Sequence, residues 1–437
     1  MKLHLPRGLR WLYPGMRIKR WVSLTVAAMG LFVFGLLALM GRELVRDLYR
    51  LFPYGSSLRY IFIGLSLVIG TIGFGYGVHR LVRSVAKGIA PSVTQKPSDI
   101  IYRTRILSRG PRVVAFGGGT GLVALLRGLK EYTMNITAVV TVMDDGGSSG
   151  RLRTEYDVLP AGDIRNCILA LAEDEQRMSY LFQHRFRNMP GLENHSLGNL
   201  VIAGLEQAVG GFDRAIEEMS HLLNIRGQVL PVTLEKVHLV AEMADGALVK
   251  GESTIATDPR RIANISLSPR SIPPYEKVLT EIDCADLIIV GPGSLFTSLI
   301  PNLLVEGIAA AITTCRAEKF YIANLMTQPS ETSGFSLYDH LRALDDYIAV
   351  RSFDAVIVNT GRPAAEISSR YQREDALPVV NDLPEENEYD LQVIQRDLIE
   401  ITKIEGKLTV KHDPVKLSKV IVNSAGAFLK VCAHLNP

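Results

Sequence analysis

Between Arg112 and Gly121 the chain reads RVVAFGGGTG, a short apolar run that stops at three consecutive glycines followed by Thr120 and Gly121. Val113, Val114, Ala115 and Phe116 form the unbroken apolar block of a buried strand, and Leu122, Leu125, Leu126 and Leu129 recur at helical spacing in the LVALLRGLKEY that follows. The pattern predicts strand, glycine corner, helix. Gly117, Gly118, Gly119 and Gly121 let backbone N–H groups approach a ligand closely, and the helix turns its positive N-terminal end to the same place. The implied guest is an anion, most simply a phosphate. The spacing is G-x-G-x-G; the dinucleotide fingerprint G-x-G-x-x-G would need glycine where Leu122 stands, and no Gly-Lys-Ser/Thr follows as in a P-loop.

The first fifth of the 437 residues has a different character. Residues 21–40 and 60–78 carry no charged side chain, and each run is close to the ~20 residues a helix needs to cross a hydrocarbon core. A cleaved signal peptide fits poorly, because the first run is long and a second follows soon after. Lys2, Arg7, Arg10, Arg17, Lys19 and Arg20 precede the first run, and Arg80, Arg83 and Lys87 follow the second. By the positive-inside rule this puts the basic N-terminus (1–20), the C-terminus and the main domain in the cytoplasm and the short loop outside. With no ionisable group in either span, the hairpin of residues 21–79 is expected to anchor a two-span membrane protein and not to conduct ions. A polar linker is expected over residues 80–110, and the globular domain over 111–437.

Cys167, Cys284, Cys315 and Cys432 are far apart and form no C-x-x-C pair, which argues against a zinc site or a disulfide framework and fits a reducing compartment. The formal charge of +3 owes much to the flanks of the membrane segment, so nucleic acid is not an expected partner.

From Pro111 onward strand-like runs alternate with helical ones, the pattern of an α/β fold with a mostly parallel sheet. Residues 136–142 (ITAVVTV) read as a strand that ends in Asp144, Asp145, Gly146, Gly147, Ser148, Ser149, Gly150 and Arg151. Asp144 and Asp145 stand where a dinucleotide fold places an acid on the ribose; equally, one of them could help hold Mg²⁺ beside phosphates. Ser148, Ser149 and Arg151 are candidate phosphate donors. Asp163 reads as a helix cap, with Arg165 and Asn166 beside it; Ser196 reads as another cap, with Asn199 on a helix about to be buried and His195 as a structural histidine. Residues 228–257 read as an antiparallel lobe turning at Asp245-Gly246. A second glycine corner follows the strand 284–290, where Gly291, Pro292, Gly293 and Ser294 lead into a helix. Further strands are expected at 319–324 and 354–359, and a helix at 336–349.

In order and wording, the motifs at 117–121, 144–151, 160–166, 195–200, 291–298 and 324–329 resemble the YvcK/CofD family, and the gluconeogenesis factor branch best. The resemblance covers residues 111–437 and leaves the hairpin outside. It implies a Rossmann-like domain with a ligand groove at the strands' C-terminal ends. It further implies phosphate binding by the two glycine corners (Gly291, Gly293 and Ser294 in the second), a ribose or metal role for Asp144 and Asp145, and places for Asn166 and Asn199 in the groove. Tyr371 and Lys411 look like the residues that bind the nucleotide sugar in the regulatory branch. Pro414 follows Asp413 where some regulators have a threonine, so control by phosphorylation there is not implied.

The expected function is a membrane-anchored regulator that binds a nucleotide sugar of the UDP-N-acetylglucosamine type and links carbon metabolism to cell shape and wall synthesis. A CofD-like, Mg²⁺-dependent transferase moving phospholactate from a guanosine diphosphate donor to a deazaflavin is the enzyme alternative, since phosphoryl transfer runs mainly on positioning and charge. A membrane scaffold with a vestigial pocket is the third. A homodimer fits a domain of this size.

Overall fold

The computed structural model describes residues 19–40, 57–89, 107–384, 386–404 and 406–428. The chain divides into two compact units, residues 1–104 and 105–437.

In the first unit the described residues form two helices, Lys19–Met40 and Ser57–Ile89. They run antiparallel and touch through small residues. A Cβ placed on Gly70 would lie 2.8 Å from the Phe32 backbone nitrogen, one on Gly35 2.9 Å from the Leu67 side chain, and one on Gly73 3.1 Å from the Ala28 methyl. The outward faces carry exposed Leu24, Val26, Met29 and Val33 on one helix and Ile61, Leu65, Val68 and Ile72 on the other. Among the described residues no single helix is long and apolar enough to cross a membrane; the described apolar part of the first is Trp21–Leu36. The second helix runs on to Ile89, well into the expected linker, because nothing between Arg80 and Ile89 interrupts it before Pro91, two residues beyond. The basic N-terminus 1–18, the loop 41–56 and the rest of the linker to 106 lie outside the described residues.

The second unit is built on a seven-stranded sheet in which every pairing is parallel. Its strands are β1 (Val113–Gly117), β2 (Ile136–Val140), β3 (Gln228–Pro231), β7 (Leu287–Val290), β8 (Glu318–Ile322), β9 (Ala355–Asn359) and β10 (Gln392–Arg396). Every residue of β1, β2 and β7 is buried, as a parallel strand covered by helices on both faces requires. The order across the sheet is β10-β9-β8-β7-β1-β2-β3. From β1 the chain first builds outward through β2 and β3, then returns to the other side of β1 and builds outward through β7 to β10. The direction of winding therefore reverses between β1 and β7.

Two smaller sheets complete the unit. β4 (His238–Met243) and β5 (Leu248–Lys250) form the expected hairpin, with Asp245 Oδ1 accepting the Ala247 N–H, and β6 (Ile262–Ser268) adds a third antiparallel strand. Both ends of that segment depart from the expectation: Gln228–Pro231 joins the large sheet, parallel to β2, and Glu252–Thr257 is a short helix. β11 (Ile399–Ile404) and β12 (Lys407–His412) make an antiparallel ribbon that leads into the helix Pro414–Ser424.

Candidate functional site

In an open parallel sheet the connections that leave the strands on either side of a reversal part to opposite faces, and a crevice is left beyond the strands' C-terminal ends. Here that crevice lies between the ends of β1 and β7, where the two glycine corners are. Gly291 closes the gap: its N–H donates to the Phe116 carbonyl over 2.9 Å, and its φ of +93° is one that side chains rarely adopt. The corners then press together. A Cβ on Gly121 would come 2.7 Å from the Pro292 carbonyl oxygen, so the helix Gly119–Leu129 packs its first turn directly onto the second corner's backbone. This helix starts three residues earlier than the leucine spacing indicates, because the glycines form its first turn.

A cleft of about 340 Å³ opens above this junction. Gly118, Gly119, Thr120 and Gly121 line it from one corner, Gly293 and Ser294 from the other. Ser294 Oγ accepts from Gln328 Nε2 over 2.7 Å, and Asn324, Thr327 and Gln328 add a wall from the loop after β8. Tyr371 and Lys411 line the same cleft, although they come from the helix Ala365–Arg373 and from β12. Tyr371 Oη accepts the Val410 N–H over 3.0 Å, which fixes its ring beside Lys411. Burial, with help from the Arg127 charge, lowers the Lys411 pKa from its ordinary value. His412 is buried, and burial pushes its pKa down to about 4, so it stands in the wall as a neutral ring.

One side of the glycine loop is acidic. Asp163 Oδ2 accepts the Gly119 N–H over 2.8 Å; the residue is no helix cap, that position belonging to Ala161. Burial raises its pKa, and the charge of Asp144 adds to the rise. Asp144 is itself raised by burial, while the Gly146 N–H and Ser149 stabilise its charged form. Asp145 is already engaged: its Oδ1 accepts from the Ser253 N–H over 2.9 Å and from Ser253 Oγ over 2.7 Å. Among the described residues no group of three or more His, Cys, Asp or Glu is arranged to hold a metal ion. A Mg²⁺ would therefore need phosphate oxygens and water for most of its shell, with Asp144 the better-placed carboxylate of the pair.

The remaining candidates sit elsewhere. The glycine- and serine-rich stretch after Asp145 is a helix, Gly147–Tyr156, and it buries Ser148 and Ser149. Asn199 Nδ2 reaches Ser148 Oγ at 3.2 Å and Ser149 Oγ at 3.4 Å, and Ser148 Oγ lies 3.1 Å from His195 Nδ1. Arg165 joins this cluster through Ser196 Oγ and Asn199 Oδ1. Arg151 donates to the Glu193 carbonyl. Asn166 faces a second cavity, whose lining shares no residue with the cleft between the corners. Sequence reasoning gave no role in the cleft to Gln328 or His412, and it read Asp163 as a cap, since an acid just inside a helix start looks the same in sequence whether it binds its own helix or a neighbouring loop.

Comparison with known proteins identifies the family. Residues 113–399, which include both corners and all seven strands of the large sheet, match the family model of 2-phospho-L-lactate transferase CofD. The chain belongs to the CofD/YvcK family. Relatives named gluconeogenesis factor in Halalkalibacterium halodurans and Bacillus subtilis are 46% and 45% identical, over 71% and 72% of this chain and 95% and 99% of their own. A Nostoc sp. relative is 42% identical over 95% of this chain and 92% of its own length. A crystal structure of a Bacillus halodurans protein superposes with a TM-score of 0.68 at 44% identity, covering 72% of this chain and all of that one. The parallel seven-stranded sheet is thus the CofD/YvcK fold, and this member is of the gluconeogenesis factor kind.

Proposed function

We propose that the cleft between the two glycine corners binds a nucleotide sugar of the UDP-N-acetylglucosamine type, and that the chain regulates carbon metabolism, cell shape and wall synthesis from the membrane. The observation that carries this reading is the meeting of four distant segments in one cleft: residues 118–121, residues 293–294, Tyr371 and Lys411. Backbone amides and a helix N-terminus suit a diphosphate, and Lys411 brings a cation to the same space. Tyr371, held by the Val410 N–H, offers a ring beside it for a base or sugar. Anchoring rests on the packed helix pair of residues 19–40 and 57–89, in which Gly35, Gly70, Gly73 and Gly77 face the partner helix while large apolar residues such as Val26 and Ile72 face outward, as in helix pairs in lipid. Both termini and the second unit then lie in the cytoplasm.

A transferase of the CofD type is the second reading, favoured by the family model's description and by the carboxylates Asp163 and Asp144 at the loop's edge. In it Asp144 would share a Mg²⁺ with the donor's phosphates, the ion supplying charge stabilisation.

Calorimetry on the full-length chain in detergent decides between them. UDP-N-acetylglucosamine should bind saturably, and Lys411→Ala and Tyr371→Ala should each weaken it about tenfold or more. Binding of a deazaflavin with Mg²⁺-dependent transfer of phospholactate would replace the regulatory reading by the enzymatic one. Absence of any nucleotide binding would leave a scaffold.

A further inference from the structure

The cavity that takes Asn166 has a volume of about 610 Å³ and is also lined by Arg165, His184, Arg185, Arg187 and Ser196. Every ionisable residue in its lining is basic. Arg165 is only 7% exposed, and a guanidinium so deeply buried is ordinarily paired with an anion. Here its direct partners are neutral: Ser196 Oγ, Asn199 Oδ1 at 2.6 Å and Asn166 Oδ1 at 3.0 Å. Its Nε has no hydrogen-bond partner among the described residues. Burial, and then the neighbouring charge of Arg185, lower its pKa to about 10, with Asp163 and Asp144 offsetting part of the fall. Arg185 uses Nη1 on the Asn194 carbonyl, 2.9 Å away, and both Arg185 and Arg187 are exposed at the mouth.

We propose that this cavity is a second anion site, distinct from the nucleotide cleft, that takes a small organic phosphate of sugar-phosphate size. Planar guanidinium forks match the oxygens of a phosphate, and the volume lies within the range of small-ligand pockets. A phosphate here gives Arg165 an anion in direct hydrogen-bond contact, which Ser196, Asn199 and Asn166 do not supply, and relieves its repulsion with Arg185. The two sites share one rigid element, because the helix Gly162–Leu171 carries Asp163 on the glycine loop and, two residues later, Arg165 on this cavity. The inference stands on these residues alone and does not require the ligand assigned to the cleft.

Equilibrium dialysis of the full-length chain against radiolabelled glucose 6-phosphate, with glucose as the uncharged control, tests it. Glucose 6-phosphate should bind saturably and glucose should not. The double variant Arg185→Ala/Arg187→Ala, which changes only exposed side chains, should weaken binding about tenfold. Lys411→Ala should leave it within a factor of about two. The proposal is overturned if the double variant binds as the wild type does, if glucose binds equally well, if nothing saturates at millimolar ligand, or if Lys411→Ala abolishes binding. Loss of the nucleotide-sugar reading shows up separately, in the calorimetry of the wild-type chain.

Discussion

At Glu252 the ordinary carboxylate value of 4.5 is pushed up to about 7, by burial first and then by the charges of Asp144, Asp145, Glu331 and Asp163. Burial also raises Asp144, Asp163 and Glu331. Between 4.5 and about 7 the folded chain holds a proton at Glu252 that the unfolded chain has released. Stability therefore falls as pH rises through that window and levels off above it. Thermal melting of the full-length chain should show a decline in midpoint from pH 5 to pH 8, and Glu252→Gln, which cannot ionise, should flatten it. An unchanged slope in the variant would mean that Glu252 does not titrate in this window. None of this was legible in the sequence. Asp144 and Asp145 stand together there, but Asp163, Glu252 and Glu331 join them only through folding. Arg165 likewise reads as the neighbour of Asp163, and only the helix's geometry sends Asp163 to the Gly119 N–H and Arg165 to the second cavity.

The strand-and-corner elements were the most legible part. β1 and β7 are short apolar runs that stop at glycine, and both corners fall at the reversal of the sheet, where parallel strands make a crevice. β3 was harder, because four residues ending in proline carry too little pattern to distinguish a sheet edge from the start of the hairpin that follows. β4 alternates buried positions with half-buried or exposed ones, and its turn at Asp245-Gly246 is readable for that reason. Tyr371 and Lys411 carry no local signal at all; family resemblance alone pointed to them, and they line the same cleft as the corners. The corners' contact makes a sharp prediction. Gly121→Ala drives a methyl against the Pro292 carbonyl, a backbone atom that cannot swing aside, so stability should drop by roughly 1–3 kcal/mol and the cleft should lose ligand affinity. Chemical denaturation and calorimetry read the two effects, and a variant as stable and as tight as the wild type would show that the corners are not pressed together.

Across the whole molecule, the family accommodates chains of different extent: the Nostoc relative is matched over 95% of this chain, the Bacillus subtilis relative over 72%. The first unit is thus not a requirement of the family's fold. Its expected role is attachment, and alkaline carbonate extraction of cell membranes tests it. The full-length chain should stay in the pellet, and a chain starting at residue 105 should not be held there. Release of the full-length chain into the supernatant would remove the anchor from the proposal.

The spread of the cleft's residues along the chain also has a consequence for how the protein comes into being. The floor of the cleft comes from residues near 120 at the sheet's starting strand, while Lys411 and His412 come from the last β-ribbon. A ribosome has released nearly the entire polypeptide before those closing residues emerge. On the proposed reading, ligand recognition is the final property a newborn chain acquires, and a prematurely terminated product, however well its sheet has formed, would lack it.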